Sequence, residues 1–131
     1  MLKVLIIDSL SSQNVSVARR LIGWGHDVAR ASSCAQALAE QTGPCWHLIF
    51  VGLCQLAAEG IEWIPRLRRL WPPALLIVMG DADCPDLERQ VRSQGIDFYL
   101  QQGSEAAYLT ILMQHFEKRF ASQSCETSSH A

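Results

Sequence analysis

The stretch Lys3-Val4-Leu5-Ile6-Ile7-Asp8 decides the fold of this chain. Its apolar residues run almost without interruption, as in a parallel strand that is buried on both faces, and an acid stands where the strand ends. The next segment, 9–12, holds three serines and leads into residues with helical spacing. A buried strand, a polar turn and a helix in this order predict the first unit of an α/β fold, in which strand ends carry the functional site.

Strand and helix signals alternate five times along the chain. Strands are predicted over residues 2–7, 26–31, 48–53, 74–79 and 96–100, and a helix is predicted after each of them. Because right-handed crossovers between parallel strands place helices on both faces, these units predict a flavodoxin-like doubly wound parallel sheet. The expected strand order is 2-1-3-4-5, with five helices and a crevice at the carboxyl ends of strands one and three.

The apolar spacing within each helix predicts the side that faces the sheet. In chain order, the predicted inward residues are Val15, Ala18, Leu21 and Ile22; Ala35, Leu38 and Ala39; Ile61, Ile64, Leu67 and Leu70; Leu87 and Val91; and Leu109, Leu112, Met113, Phe116 and Phe120. The third helix follows a predicted loop through Glu59-Gly60. Pro65 predicts that this helix starts late or bends, because proline removes one backbone hydrogen bond.

Length and charge narrow the class of protein. The 131 residues predict one domain over 1–120 and a disordered polar tail over 121–131. A net charge of -2 gives no electrostatic basis for binding nucleic acid. The nearest feature to a basic patch is formed by Arg66, Arg68 and Arg69, and we interpret it as a solvated helix face.

Targeting and metal signals are weak in this sequence. The apolar run 2–7 is too short for a signal peptide, and no segment approaches the ~20 apolar residues of a membrane span. We therefore expect a cytoplasmic protein. The five cysteines form no CxxC pair, and the four histidines show no ligand spacing with them, so neither a metal nor a cofactor is expected.

Residues 3–8 resemble the first strand of a response-regulator receiver domain, and the resemblance extends over about residues 2–120. In that family the crevice holds an acid pair after strand one and a phosphoacceptor aspartate after strand three. A threonine or serine follows strand four, and a lysine–proline pair follows strand five. The clustered carboxylates hold a magnesium ion, which neutralises charge on the transferring phosphoryl group.

This chain departs from the family at most of those positions. Asp8 matches the first acid, whereas Ser9 replaces the second acid, Gly52 the phosphoacceptor, Met79 the switch hydroxyl and Gln102 the lysine. The resemblance therefore implies a degenerate receiver, or pseudo-receiver. Its expected role is a non-enzymatic, phosphorylation-independent module for protein–protein interaction in two-component signal transduction.

The resemblance also suggests an aromatic switch and an interface. Tyr99 matches the aromatic residue that moves between exposed and buried positions in ordinary receivers, but without a switch hydroxyl we expect it to pack with its own hydroxyl in water. Receivers commonly associate through the fourth helix, fifth strand and fifth helix. Tyr108 and Ile111 are the expected anchors of that face, Tyr99 would border it, and Arg89 and Arg92 would form a polar rim. The alternative is that Tyr108 and Ile111 are isolated apolar residues of the surface. The partner would be a signalling kinase, a regulator, an output domain or a second copy of the chain.

A different function remains as the alternative. Residues 9–14 are rich in hydroxyl and amide groups and precede a predicted helix N-terminus, where anions bind. Flavodoxins hold the flavin phosphate with such a loop, so a small nucleotide- or flavin-binding protein is the second candidate. The loop lacks glycine, and Asp8 places a negative charge beside it. Catalysis by Cys54 and His47 is not expected, because the strand between them spans about 20 Å.

Overall fold

Five strands form one parallel sheet in the predicted order. The computed structural model describes residues 2–8, 12–40, 46–80, 85–101 and 108–119. Its strands are β1 (Lys3–Ile7), β2 (Asp27–Ala31), β3 (Leu48–Gly52), β4 (Leu75–Gly80) and β5 (Phe98–Gln101). They pair in parallel in the order β2-β1-β3-β4-β5, which confirms the doubly wound topology.

Helices cover both faces of this sheet. They are α1 (Ser12–Gly23), α2 (Cys34–Glu40), α3 (Leu53–Glu59), α4 (Trp63–Leu70), α5 (Pro85–Ser93) and, over residues 108–119, α6. The described parts of the chain therefore contain six helices, one more than predicted. None of them is long and apolar enough to cross a bilayer.

Strand burial follows position in the sheet. Every residue of the central strands β3 and β4 is buried, and so are the last four residues of β1. Of the two edge strands, β2 buries only its last residue, and β5 exposes its first and last residues. Continuous apolar runs are required only where helices cover both faces, so this pattern explains why the sequence 3–8 is so uniform.

The core has two layers because neighbouring strand residues point to opposite faces. Leu5, Ile49 and Leu76 belong to the layer that packs against α2, α3, α4 and α5. Ile6 and Phe50 belong to the layer that packs against α1 and α6. Burial of both layers removes a large apolar area from water, which is the main stabilising contribution to the fold.

The additional helix is α3, which occupies the predicted loop up to Glu59 and also Leu53, the last residue of the predicted third strand. It starts directly after Gly52, buries Leu53 and Leu56, and ends at Gly60 with φ of 111°. The segment contains neither proline nor internal glycine, so nothing prevents helix formation. The left-handed φ at Gly60 is accessible to glycine at little cost and ends the helix.

The helix that carries Pro65 begins late, as predicted. Helix α4 starts at Trp63, so Pro65 is its third residue. In the first turn of a helix the backbone N–H groups have no intrahelical partner. Proline at this position therefore costs no hydrogen bond, and the helix does not need to bend.

Four of the predicted inward residues point elsewhere. Ile22 is 58% exposed and Leu70 is 37% exposed. Ala35 and Ala39 are exposed as well, and α2 buries Cys34 and Ala37 instead. In α1 and α4 only the last predicted residue is exposed, and the predicted Leu21 and Leu67 are buried. In α2 the buried stripe itself differs, because small apolar residues leave more than one helical face equally apolar. Val15, Phe120 and the predicted tail lie outside the residues whose side chains are described.

Two imidazoles hold the start of β1. The amide of Leu2 donates to Nδ1 of His26 at 3.1 Å, and the amide of Lys3 donates to Nδ1 of His47 at 2.9 Å. His26 is buried, and its Nε2 lies 3.1 Å from a carboxylate oxygen of Glu117 on α6. Each Nδ1 accepts a hydrogen bond and therefore carries no proton, so both imidazole rings are neutral in these contacts.

Candidate functional site

The carboxyl ends of the strands bring the predicted crevice residues together. Gly52 at the end of β3 pairs with Met79 in β4, and Gly80 pairs with Gln101 of β5. Asp8 follows β1, and its amide donates to the carbonyl of Ala31 at the end of β2 at 3.0 Å. Parallel topology thus gathers Asp8, Gly52 and Met79 at one edge of the sheet, as expected for this fold.

The Asp8 carboxylate lies directly against the backbone of Gly52. A Cβ atom built on Gly52 would be 2.5 Å from Cγ of Asp8 and 2.6 and 2.7 Å from its two oxygens. Cβ atoms essentially never approach other heavy atoms so closely, so the Asp8 carboxylate would have to move to admit any side chain at position 52. The hydrogen on Gly52 is what makes room for this carboxylate.

Met79 does not present its side chain as a crevice group. It is 1% exposed and belongs to the core layer under α1 and α6, together with Leu100 and Leu109. Its thioether is a weak acceptor and has no proton to donate. The position at the end of β4 therefore contributes packing to the core.

Tyr99 is buried, which corrects the prediction that its hydroxyl lies in water. Its side chain is 7% exposed and packs in the core layer under α5. The hydroxyl oxygen sits where a Cβ atom of Gly80 would be, and that same Cβ would lie 2.8 Å from Cδ2 of Leu53. Because Gly80 has no side chain, the ring can lie across the end of β4. The guanidinium carbon of Arg92 lies 5.1 Å from the ring centroid and covers it from outside.

Other predicted site residues lie outside the described part of the chain. These are Ser9 and Gln102, together with residues 10–11 and the side chains of residues 12–14 in the predicted loop 9–14. The assignments of Ser9 and Gln102, and the alternative of an anion-binding loop, therefore stay predictions. Among the residues that the structure describes, no three His, Cys, Asp or Glu side chains are arranged to hold a metal ion.

Glu59 has a structural role that the sequence did not reveal. Its carboxylate accepts hydrogen bonds from the amide of Cys34 at 2.8 Å and from Nε2 of Gln55 at 2.7 Å. Burial alone would raise the pKa of Glu59, but these donors hold the pKa below its ordinary value. A carboxylate at the first residue of α2 also complements the helix dipole. The glutamate was not recognised as a cap because it lies 25 residues after the helix start that it serves.

Cys34, at the same contact, is a structural thiol. It is fully buried at the start of α2. Burial, reinforced by the neighbouring Glu59 carboxylate, raises the pKa of the thiol far above its ordinary value. Since the thiolate is the reactive form of cysteine, this residue is not a nucleophile.

One predicted interface residue, Tyr99, is buried and therefore does not belong to an exposed face, whereas the other predicted interface residues are exposed. Tyr108 is 54% and Ile111 is 63% exposed on α6, and Phe98 at the start of β5 is 36% exposed. Phe98 was not among the predicted anchors, because the predicted strand 96–100 placed it inside β5, whereas β5 begins at Phe98. Arg92 contacts Glu88 at 3.0 Å, and Arg89 lies 3.9 Å from Asp86. We name this region, between α5, β5 and α6, the β5-edge surface.

Structural comparisons define the class of this fold. The chain is similar to a response regulator protein from Burkholderia pseudomallei, with 24% identity, a TM-score of 0.72 and coverage of 96% of this chain and 75% of that one. It is also similar to a two-component response regulator from Clostridium difficile, with 19% identity, a TM-score of 0.77 and coverage of 92% and 98%. NtrX from Brucella abortus matches at 16% identity with a TM-score of 0.78, over 97% of this chain and 29% of that one.

The chain is thus a five-stranded flavodoxin-like α/β protein. More narrowly, it has the CheY-like fold of response-regulator receiver domains. No family sequence model matches it. A comparison with curated proteins likewise gives no match.

Proposed function

We propose that this protein is a signalling module with a receiver fold that acts through protein–protein contact and without phosphorylation. The observation that carries the proposal is the contact between the Asp8 carboxylate and the backbone of Gly52. At the position that resembles the phosphoacceptor there is no carboxylate, and a neighbouring side chain occupies the space that one would need.

The chemistry of phosphoryl transfer supports this proposal. An acyl phosphate requires a carboxylate nucleophile, and a magnesium ion usually keeps one or two carboxylates with waters and phosphate. Position 52 supplies neither a nucleophile nor a ligand. Asp8 is the one acid that matches the family pattern, and a lone carboxylate makes a poor site for a divalent cation.

Tyr99 supports the idea of a module that keeps one conformation. Its ring is buried, its hydroxyl packs over Gly80, and Arg92 stacks on its outer face. In receivers the corresponding aromatic residue moves with a hydroxyl at the end of strand four, and Met79 occupies that position here. With nothing to respond to, Tyr99 acts as a fixed part of the core.

The β5-edge surface is the proposed site of contact. Its apolar groups are Phe98, Tyr108 and Ile111, with Arg89 and Arg92 at the border. Aromatic and aliphatic anchors inside a charged rim are the usual composition of protein interfaces. The proposed partner is a signalling kinase, a regulator or an output domain, or a second copy of this chain.

Incubation with acetyl phosphate and magnesium tests the proposed lack of phosphorylation. We expect the intact mass to stay unchanged, because position 52 has no nucleophile. An authentic receiver that retains its aspartate, treated with the same reagents, serves as the positive control. A hydroxylamine-sensitive adduct of roughly 80 Da, the mass of a phosphoryl group, would contradict the proposal, since it would require a carboxylate acceptor elsewhere.

A further inference from the structure

A groove between α2 and α4 lies on the opposite side of the molecule from α6. It has a volume of about 230 Å³ and is lined by Leu38, Trp63, Arg66, Arg69 and Leu70. Trp63 is 8% exposed and forms part of the apolar floor, whereas Leu70 is 37% exposed at its margin. Small-molecule sites usually measure roughly 300–1,000 Å³. The α2–α4 groove is therefore the size of one or two side chains of another protein.

Two arginines at the groove have no negative partner in the part of the chain that the structure describes. Among those residues, no carboxylate lies within 4.0 Å of the guanidinium groups of Arg66 and Arg69. Arg68, on the same helix, differs because it pairs with Asp97 at 3.0 Å. Glu62 precedes Arg66 by one helical turn, but its carboxylate lies beside Gly60. A Cβ atom built on Gly60 would be 2.5 Å from an oxygen of that carboxylate. The groove thus combines an apolar floor with two cations that no described carboxylate neutralises.

Arg66 is held in place before any ligand arrives. Its guanidinium carbon lies 4.2 Å from the centroid of the Trp63 ring, a cation–π contact. Arg66 is exposed, so its guanidinium, whose paired donors match a carboxylate, is accessible to a ligand. A side chain that is already ordered loses less conformational entropy on binding.

We propose that the α2–α4 groove binds an acidic segment of a protein partner, in which Asp or Glu side chains flank an apolar anchor. The anchor would contact Leu38, Trp63 and Leu70, and the carboxylates would pair with Arg66 and Arg69. Charge complementarity selects this occupant, because the groove is locally positive in a protein whose net charge is -2. Two cations are too few for a phosphate backbone, which requires several contacts for useful affinity. The proposal goes beyond the proposed function, since it concerns a surface separate from the β5-edge surface.

Selection from a random library of displayed 16-residue peptides tests the proposal. The wild-type protein is the bait, and enriched peptides are then measured by fluorescence anisotropy at low and high salt. We expect enriched sequences to carry Asp or Glu beside Leu, Ile or Phe. The variant R66E/R69E should weaken their binding at least tenfold, and added salt should weaken it for the wild type.

A matched control separates the groove from overall charge. The variant R19E/R119E makes the same change in net charge with exposed arginines of α1 and α6, on the other face of the sheet. It should bind the peptides as the wild type does, and so should I111E, which alters only the β5-edge surface. Backbone amide shifts in NMR spectra should map the bound peptide to α2 and α4.

Three results would overturn the proposal. The first is that no peptide is enriched, or that enriched peptides lack acidic residues. The second is equal loss of binding in R66E/R69E and in R19E/R119E. The third is that a single-stranded oligonucleotide binds with the same dependence on Arg66 and Arg69, which would assign the groove to nucleic acid.

Discussion

The absence of a side chain at Gly52 changes which groups fill the crevice at the carboxyl ends of the strands. Its hydrogen allows the Asp8 carboxylate to rest against the neighbouring strand, and Gly80 in the same way allows Tyr99 to lie across β4. The sequence predicted the carboxyl end of each strand to within one residue, because the apolar run of a buried strand stops where the strand stops. It did not predict the burial of Tyr99, because that depends on the missing Cβ atom of a residue in another strand.

The substitution Gly52→Asp should destabilise the protein without creating a switch. The new carboxylate would crowd Asp8, and repulsion should raise the pKa of one of the two groups. A carboxyl group with a raised folded-state pKa is destabilising when ionised, so the loss should be largest at pH 8 and shrink toward pH 4. We expect a cost of about 1–3 kcal/mol at neutral pH, measured by urea unfolding.

Two control variants separate steric from charge effects at position 52. Gly52→Ala keeps the conflict between the added Cβ atom and the Asp8 carboxylate but adds no charge, so its cost should be smaller and should vary little with pH. Asp8→Ala combined with Gly52→Asp should recover most of the stability. Tight magnesium binding with a large conformational shift in Gly52→Asp would contradict our view of the crevice.

The substitution Gly80→Ala should displace Tyr99. The added methyl group would meet the Tyr99 hydroxyl and lie 2.9 Å from Cβ of Leu53, so we expect a loss of about 1–3 kcal/mol in the free energy of unfolding. Adding Tyr99→Phe should recover part of that loss, because it removes the clashing oxygen. Gly23→Ala is the control, since nothing lies within 4 Å of the position that its new methyl group would take. Equal stability of Gly80→Ala and wild type would show that Tyr99 is not packed as described.

Elements of the fold were predictable to different degrees. The strands and their order followed from strong signals, since a central parallel strand needs an apolar run and the crossover rule leaves few topologies. Helix α3 was missed because residues 53–59 precede a glycine and carry only Leu53 and Leu56 as inward groups. Its formation depends on packing against β3, β4 and α5, and a short segment shows no such tertiary contact in its own sequence.

The start of β1 should make the protein sensitive to acid. Burial lowers the folded-state pKa of both His26 and His47, although Glu117 opposes this shift at His26. A lowered histidine pKa contributes stability that is complete above about pH 6.5, the unfolded value, and is lost as pH falls through the folded value. Protonation of Nδ1 also removes the acceptor for the amide of Leu2 or Lys3.

Urea unfolding at pH 7.5 and 5.5 measures this dependence. The wild type should unfold at a lower urea concentration at pH 5.5. The double variant H26Q/H47Q should be less stable at pH 7.5, by about 1 kcal/mol for each lost hydrogen bond, but should vary less between the two pH values. His115, which is exposed on α6, provides the control, and H115Q should keep the wild-type dependence. If H26Q/H47Q lost as much stability between pH 7.5 and pH 5.5 as the wild type does, the acid sensitivity would belong to other groups.

At the scale of the whole molecule, exposed apolar side chains mark the surfaces available to partners. Ile111→Glu should abolish self-association or capture of a partner through the β5-edge surface, because it places a charge among apolar anchors. Ile22→Glu is a close control, since Ile22 is 58% and Ile111 is 63% exposed. Sedimentation velocity and thermal unfolding measure assembly and folding together. Identical behaviour of both variants and the wild type, with unchanged partner capture, would remove this surface from consideration.

The Asp8–Gly52 contact also bears on how the output of such a protein would be timed. In a phosphorylated receiver, the lifetime of the acyl phosphate limits how long each signal lasts. A module without that bond has no active state of limited chemical lifetime. The fraction of partner bound therefore follows the concentrations of the two proteins by mass action. Under the proposed function, the cell would set the strength and duration of the signal through synthesis and degradation of this chain. The concentration of this protein would then have the role that the lifetime of the acyl phosphate has in a phosphorylated receiver.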